Sequence, residues 1–221
     1  MRTALRSFIF FICVATGHKE INGQTGTSYD LVQLFKDQKL TVYNRAVSFE
    51  TDASKKGIAL SEEEGEGLVW INGVSFSTGT IEVDLKGQDV FQHSFVGIAF
   101  HCADDSTFDA IYFRPFQFNS IDPERKKRGV QYVSLPAYTW QKLREQQNGF
   151  YENLVAPAPD PNDWFHVKII VKEKDVQVYA NNAATPCLRI NLLNERKSGK
   201  IALYTADRSG GSFANLVIQS N

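Results

Sequence analysis

Alternation of apolar and polar side chains runs through most of this chain. In "GTIEVDLKG" (79–87), Ile81, Val83 and Leu85 fall on one face, and Thr80, Glu82, Asp84 and Lys86 on the other. That period belongs to a strand with one buried face. "KLTVYNRAVSFE", "GIALSE", "FVGIAFHC", "FDAIYFRPF" and "VQYVSLP" are further runs of β-branched and aromatic residues. "DDST" (104–107) separates two of them and predicts a tight turn, because Asp and Ser side chains bond their own backbone. "WFHVKIIVKE" and "VQVYANN" flank Lys174-Asp175 as a hairpin, and "GKIALYT" and "FANLVIQ" close the chain around "DRSGGS". Many strands with turn signals between them predict an all-β sandwich or barrel.

One segment departs from the two-residue period. In "YTWQKLREQQNG" (138–149), Trp140, Leu143 and Gln147 recur at helical spacing and Asn-Gly ends the run, so a short helical insertion is expected. "VAPAPDPND" (155–163) follows with three closely spaced prolines and predicts an extended connector. Long insertions in compact domains are usually functional or disordered, and the aromatic content of 138–151 points away from disorder.

The first residues have a different character. "MRTALRS" is basic and "FIFFICVA" is a short apolar run, followed by a small residue at Gly23. This is the order of an export signal, so 1–23 is expected to be a leader and 24–221 one domain in the periplasm or outside the cell. The apolar run is too short to span a bilayer, and nothing later is apolar enough to do so. The whole chain carries 24 basic and 25 acidic residues. Residues 1–23 take away Arg2, Arg6 and Lys19 but only Glu20, which leaves a net of −3. A nucleic-acid partner would favour a basic face, so none is expected. "ERKKR" (124–128) is the one basic cluster and reads as a solvated loop tip.

Motifs for metal or nucleophilic chemistry are scarce. No C-x-x-C, H-E-x-x-H or G-x-S-x-G occurs, and His93, His101 and His166 lack metal-ligand spacing. Asp104, Asp105 and Asp109 cluster near one turn. They offer hard oxygen ligands for Ca²⁺, or simply turn chemistry; no other cofactor is expected. Cys13 leaves with the leader. Cys102 and Cys187 then either pair in an oxidising compartment or sit as separate buried thiols. Glu82 and Asp84 share a strand face, but Lys86 and Gly87 stand where the E-x-D-x-x-E strand of laminarinase-type glycosidases needs its last Glu. The ordinary reading is a half-polar strand, its carboxylates kept ionised by Lys86.

"VSFSTGTIEVDLKG", "DWFHVKIIVKEKDVQVYANN" and "GKIALYT…GSFANLVI" resemble three strand patterns of the concanavalin A-like lectin/glucanase superfamily. These are its early strand after F-x-x-G, its W-x-x-V-x-I…V-x-V-Y-x-N hairpin and its closing G-x-I-G-L…F-x-N-L-x-I. The superfamily includes laminin G-like modules, laminarinase-type hydrolases and keto-disaccharide hydrolase-like secreted bacterial domains. The resemblance implies a two-sheet antiparallel jelly-roll sandwich with an oligo- or polysaccharide on its concave face. It places 79–87 at the early strand rather than the catalytic one. Sugar recognition needs flat aromatic surfaces for C–H faces and planar polar groups for hydroxyls. Tyr112 and Arg114 share one strand face, opposite Asp109, and with Gln131, Tyr138, Trp140 and Arg144 they are the substrate-binding candidates. Three readings follow: a secreted carbohydrate-binding domain, a glycoside hydrolase-like enzyme pairing Asp109 with Glu152, or a laminin G-like protein-adhesion module.

Overall fold

The computed structural model describes residues 26–52 and 54–221. The expected leader, its cleavage point at Gly23 and Cys13 lie outside the described residues. The first strands are β1 (Thr27–Tyr29), β2 (Leu40–Tyr43), β3 (Val47–Phe49), β4 (Gly57–Leu60), β5 (Gly67–Phe76) and β6 (Gly79–Lys86). The middle of the chain holds β7 (Val96–Cys102), β8 (Asp109–Phe113), β9 (Val130–Ser134) and β10 (Glu152–Asn153). The last are β11 (Phe165–Val171), β12 (Asp175–Ala180), β13 (Leu188–Asn191), β14 (Gly199–Thr205) and β15 (Gly211–Ser220). Short helices α1 (Leu31–Lys36), α2 (Pro115–Phe118), α3 (Pro123–Lys126) and α4 (Trp140–Gln146) interrupt them.

The strands form two antiparallel sheets. One runs β13-β12-β11-β6-β15-β4-β3, with β1 also paired to β15; the other runs β10-β9-β8-β7-β14-β5-β2. Alternation settles which side chains lie between them. Ile81, Val83 and Leu85 of β6 are fully buried, while Phe113 of β8 packs edge-on against Phe165 of β11 with 5.2 Å between ring centroids. Ile98 and Ile111 stand opposite each other on that same inward side. The hairpin expected at Lys174-Asp175 is present as β11 and β12, with Val171 opposite Val176.

The predicted insertion is α4, shorter than the pattern implied. The Thr139 hydroxyl caps its start, accepting from the Lys142 N–H at 3.4 Å, and the helix stops at Gln146. Only Leu143 of this helix is buried; Trp140 is 42% exposed, so the helix lays one residue on the domain and leaves its aromatic ring free. Cys102 and Cys187 are free thiols, both buried. Burial pushes each up to about 12, so they act as small apolar side chains.

The outer face of the seven-stranded sheet carries one cross-strand row. Tyr204 stands opposite Gly97, Gly97 opposite Tyr112, Tyr112 opposite Gln131 and Gln131 opposite Glu152. Gly97 is required by close approach: a Cβ there would meet the Ile111 carbonyl oxygen at 2.0 Å and the Tyr112 Cα at 2.6 Å. Over it the Tyr112 and Tyr204 rings come within 5.9 Å. Gly97→Ala is therefore expected to push β8 from β7 and cost about 2–3 kcal/mol, read as a lower urea midpoint.

Candidate functional site

The row ends in a buried polar network. Tyr112, Gln131 and Glu152 reach the same face by register, and Arg114 joins them from the residue after β8, where Pro115 ends the strand and starts α2. The Arg114 guanidinium donates to the Tyr112 hydroxyl at 2.9 Å, to the Gln131 side-chain carbonyl, and to the Arg128 backbone carbonyl at 2.9 Å. It also lies 3.6 Å from Glu152. From α4, Arg144 donates to both Glu152 oxygens, at 2.9 and 2.6 Å. Arg128 approaches the same carboxylate at 4.0 Å. One buried carboxylate thus collects three guanidiniums from three chain segments. Burial pushes Tyr112 up to about 12, so its hydroxyl stays neutral and able to donate. The hydrogen bonds that Arg144 donates to Glu152 raise its pKa above the ordinary guanidinium value.

Above this network lies a cavity of about 570 Å³. Phe95, Tyr112, Arg114, Val133 and Tyr204 line its floor, and Arg144, Trp140, Arg128, Arg125 and Phe91 are among its walls. Two guanidinium–aromatic stacks stand in those walls: Arg144 lies 4.9 Å from the Trp140 ring centroid, and Arg125 lies 5.0 Å from that of Phe91. Glu66 also borders the cavity, and the Tyr204 hydroxyl donates to it. Burial raises the Glu66 pKa against the lowering effects of Tyr204 and Arg45.

The structure thus brings Tyr112, Arg114, Gln131, Trp140, Arg144 and Glu152 together. Tyr138 does not join them: it bridges to Ser134 beside the end of β9, with Lys142 over its ring at 5.0 Å, outside the cavity lining. Asp109 lies on the other face of β8, fully buried. There it accepts from the Tyr132 hydroxyl and Asn194 amide, both at 2.6 Å, and faces Arg196 at 3.2 Å. Burial raises its pKa, but His101 at 3.4 Å and the hydrogen bonds from Tyr132 and Asn194 outweigh that and the net shift is downward. The expected acid–base partnership of Asp109 with Glu152 is corrected here. The two carboxylates occupy opposite faces of one sheet, so no single sugar ring can lie between them. The Asp104 carboxylate is used in its own turn, accepting from the Ser106 N–H at 2.9 Å and hydroxyl at 3.0 Å. Among the described residues, no group of three His, Cys, Asp or Glu side chains could hold a metal ion.

Sequence reasoning missed Arg125 and Arg128. The "ERKKR" run forms α3 and the turn after it, and these two arginines, three apart, line the cavity rather than only capping a solvated tip. Phe91, Phe95, Glu66 and Tyr204 were missed too; only strand register and loop placement bring them here.

Glu82 and Asp84 lie far from this cavity, on the outer face of the other sheet. His166 stands opposite Asp84 across the strands. Its Nδ1 lies 2.8 Å from Asp84 and its Nε2 3.2 Å from Glu82. Lys55 and Asn215 donate to the second Asp84 oxygen at 2.7 and 2.6 Å. Lys86, expected to keep these carboxylates ionised, instead pairs with Asp52 at 2.6 Å. Burial raises the Asp84 pKa, but His166, Lys55 and Asn215 bring it down to about 2, while Asp84 and then Glu82 raise that of His166.

Comparison with known proteins supplies a family. A family profile described as "3-keto-alpha-glucoside-1,2-lyase-like domain" matches residues 18–219. Among solved structures, the carbohydrate-binding module CBM66 from Bacillus subtilis superposes with a TM-score of 0.58 at 15% identity, covering 82% of this chain and 96% of that one. A Bacillus subtilis protein with a galectin-like fold gives 0.58 at 13% identity, covering 88% and 94%. The carbohydrate recognition domain of Emp46p, in a potassium-bound form, gives 0.53 at 16% identity, covering 88% and 96%. At these identities the likeness is one of fold: the concanavalin A-like sandwich. No curated protein matches the chain.

Two outcomes are expected. Glu152→Gln should remove the carboxylate that three guanidiniums share and lower stability by about 2–4 kcal/mol in urea unfolding. The His166 cluster should make stability depend on pH at both ends. Asp84 contributes fully above its ordinary 3.8 and loses its contribution as pH falls towards about 2. His166 contributes fully below its ordinary 6.5 and loses its contribution as pH rises through its raised folded value. His166→Gln should flatten the alkaline side of a Tm-against-pH curve.

Proposed function

The chain belongs to the 3-keto-alpha-glucoside-1,2-lyase-like domain family, and from that premise we propose that it binds a glycoside in the cleft over its seven-stranded sheet. One observation carries the reading: the Glu152 network fixes Arg144 and Arg128 at a cavity that also exposes the Trp140 and Phe91 rings. Sugars present C–H faces to aromatic rings and hydroxyls to planar donors, and both kinds of group are held here. Gln131, Tyr112 and Arg114 lie beneath and orient the layer above. The basic and then apolar start of the chain supports a site of action in the periplasm or outside the cell. Among the described residues no helix is long and apolar enough to cross a membrane.

A second reading is chemistry in the same cleft. Hydrolysis by two carboxylates needs a pair about 5–9 Å apart on either side of the scissile bond. Asp109 and Glu152 do not supply it, and both Glu152 oxygens already accept from Arg144. A 1,2-elimination from a 3-keto glucoside asks for less. One base takes the proton on C2, acidic because it adjoins the ketone; the electrons form the C1–C2 double bond and the C1 substituent leaves with its bonding pair. A cation near the ketone oxygen stabilises the enolate. Glu66 favours this reading: it borders the cavity, and burial makes it a stronger base than an ordinary carboxylate.

The test is incubation with neutral, acidic and 3-keto oligosaccharides, with binding read by calorimetry and products by mass spectrometry. Saccharide binding without bond cleavage is the result expected of the first reading. Fragments summing to the substrate mass would establish elimination, and fragments summing to substrate plus one water would establish hydrolysis. Trp140→Ala, which removes an exposed ring, should weaken binding about tenfold with folding intact. Unchanged affinity would remove Trp140 from the site, and no saccharide binding at all would overturn the proposal.

A further inference from the structure

We infer that the glycoside bound in this cleft is acidic, carrying a carboxylate or a sulfate ester; the inference rests on the reading that the cleft binds a saccharide. The chain contains ten arginines and fourteen lysines. Five of the arginines, Arg114, Arg125, Arg128, Arg144 and Arg208, line this one cavity, and no lysine does. Two acidic residues, Glu66 and Asp207, line it as well, so the lining keeps a formal excess of three positive charges on a chain whose formal charge is −1.

The choice of cation matters. Guanidinium is planar and presents paired N–H groups that match the two oxygens of a carboxylate or sulfate, whereas ammonium is a point charge. The cleft already shows this geometry internally, where Arg144 grips both oxygens of Glu152.

Charge balance leaves positive charge for a ligand. Glu152 is the single carboxylate set against Arg114, Arg128 and Arg144. The charge that offsets Glu66 comes from Arg45, on the other side of the cavity floor. Arg125 has an exposed partner, Asp122 at 3.5 Å, and Arg208 pairs at 3.7 Å with Asp207, which also lines the cavity; such exposed pairs exchange readily with another anion. Arg128 touches its carboxylate only at 4.0 Å and is about one-third exposed. Arg128 and Arg125 therefore stand at the cleft with donors to spare. A neutral glycan would leave the excess charge facing water; an acidic sugar neutralises it inside a partly enclosed site, where charge pairs count for more than on an open surface.

The test is calorimetric titration of the full chain with matched oligosaccharides: a neutral oligogalactoside, the corresponding oligogalacturonide and a sulfated oligogalactoside. At low salt at least one acidic ligand should bind about tenfold or more tightly than the neutral one, and that advantage should shrink as salt is raised. Preference for the galacturonide identifies a carboxylate, and preference for the sulfated ligand a sulfate ester. A variant with both Arg125→Gln and Arg208→Gln alters exposed side chains that Glu152 does not hold. It should lose the acidic preference and keep neutral binding. Equal affinity for neutral and acidic ligands would overturn the inference while leaving the cleft a saccharide site. An acidic preference that survives in the double variant would overturn its assignment to these arginines. Absence of binding by every member would overturn the saccharide reading, and the inference with it.

Discussion

Glu152 is the pivot of the outer face. It sits on a two-residue strand, yet it contacts guanidiniums from the end of β8, the turn before β9 and helix α4. The end of β8 is held by its own buried strand and by α2, but the other two segments have few apolar anchors. Helix α4 buries only Leu143, and α3 buries none of its residues. A buried carboxylate cannot remain ionised without cations, and buried cations cannot remain without a carboxylate. That mutual requirement fixes the loops that wall the cavity, and so fixes the cavity.

Among the described residues three carboxylates, Asp84, Asp109 and Glu152, are buried with their partners, each compensated differently. Asp84 is matched by Lys55 and His166 on the outer face of one sheet. Asp109 is matched by Arg196 and neutral donors on the inward side of the other. Glu152 is matched three times over. Glu152 adjoins the arginine-lined cavity, and the guanidiniums around it outnumber it. Burial alone therefore does not distinguish the three; the residual charge around each does.

The family and the fold constrain this protein unequally. A concanavalin A-like sandwich is shared by proteins that bind sugars and proteins that cleave them, so the architecture is silent on chemistry. The particulars decide. A lone base beside clustered guanidiniums is suited to holding an anion, whether it arrives on the ligand or develops in a transition state. Two opposed carboxylates would have suited a hydrolase, and strand register keeps the candidates apart.

Strand alternation, turn residues and the helical break at 138–149 were legible in the sequence because they depend on neighbours two to four residues apart. The alternation along 108–114 already placed Asp109 on the face opposite Tyr112 and Arg114. Local composition likewise drew attention to Tyr112, Arg114, Gln131, Trp140, Arg144 and Glu152. It could not show that Glu152 lies beside Gln131, that Lys86 pairs with Asp52 instead of the carboxylates on its own strand, or that Arg125 and Arg128 line the same cavity as Trp140 and Phe91. Those facts depend on register between strands distant in sequence and on where loops come to rest. A charge has no periodicity of its own; its partner is whichever opposite charge the fold brings within a few ångströms, and that is decided only when the sheets have closed.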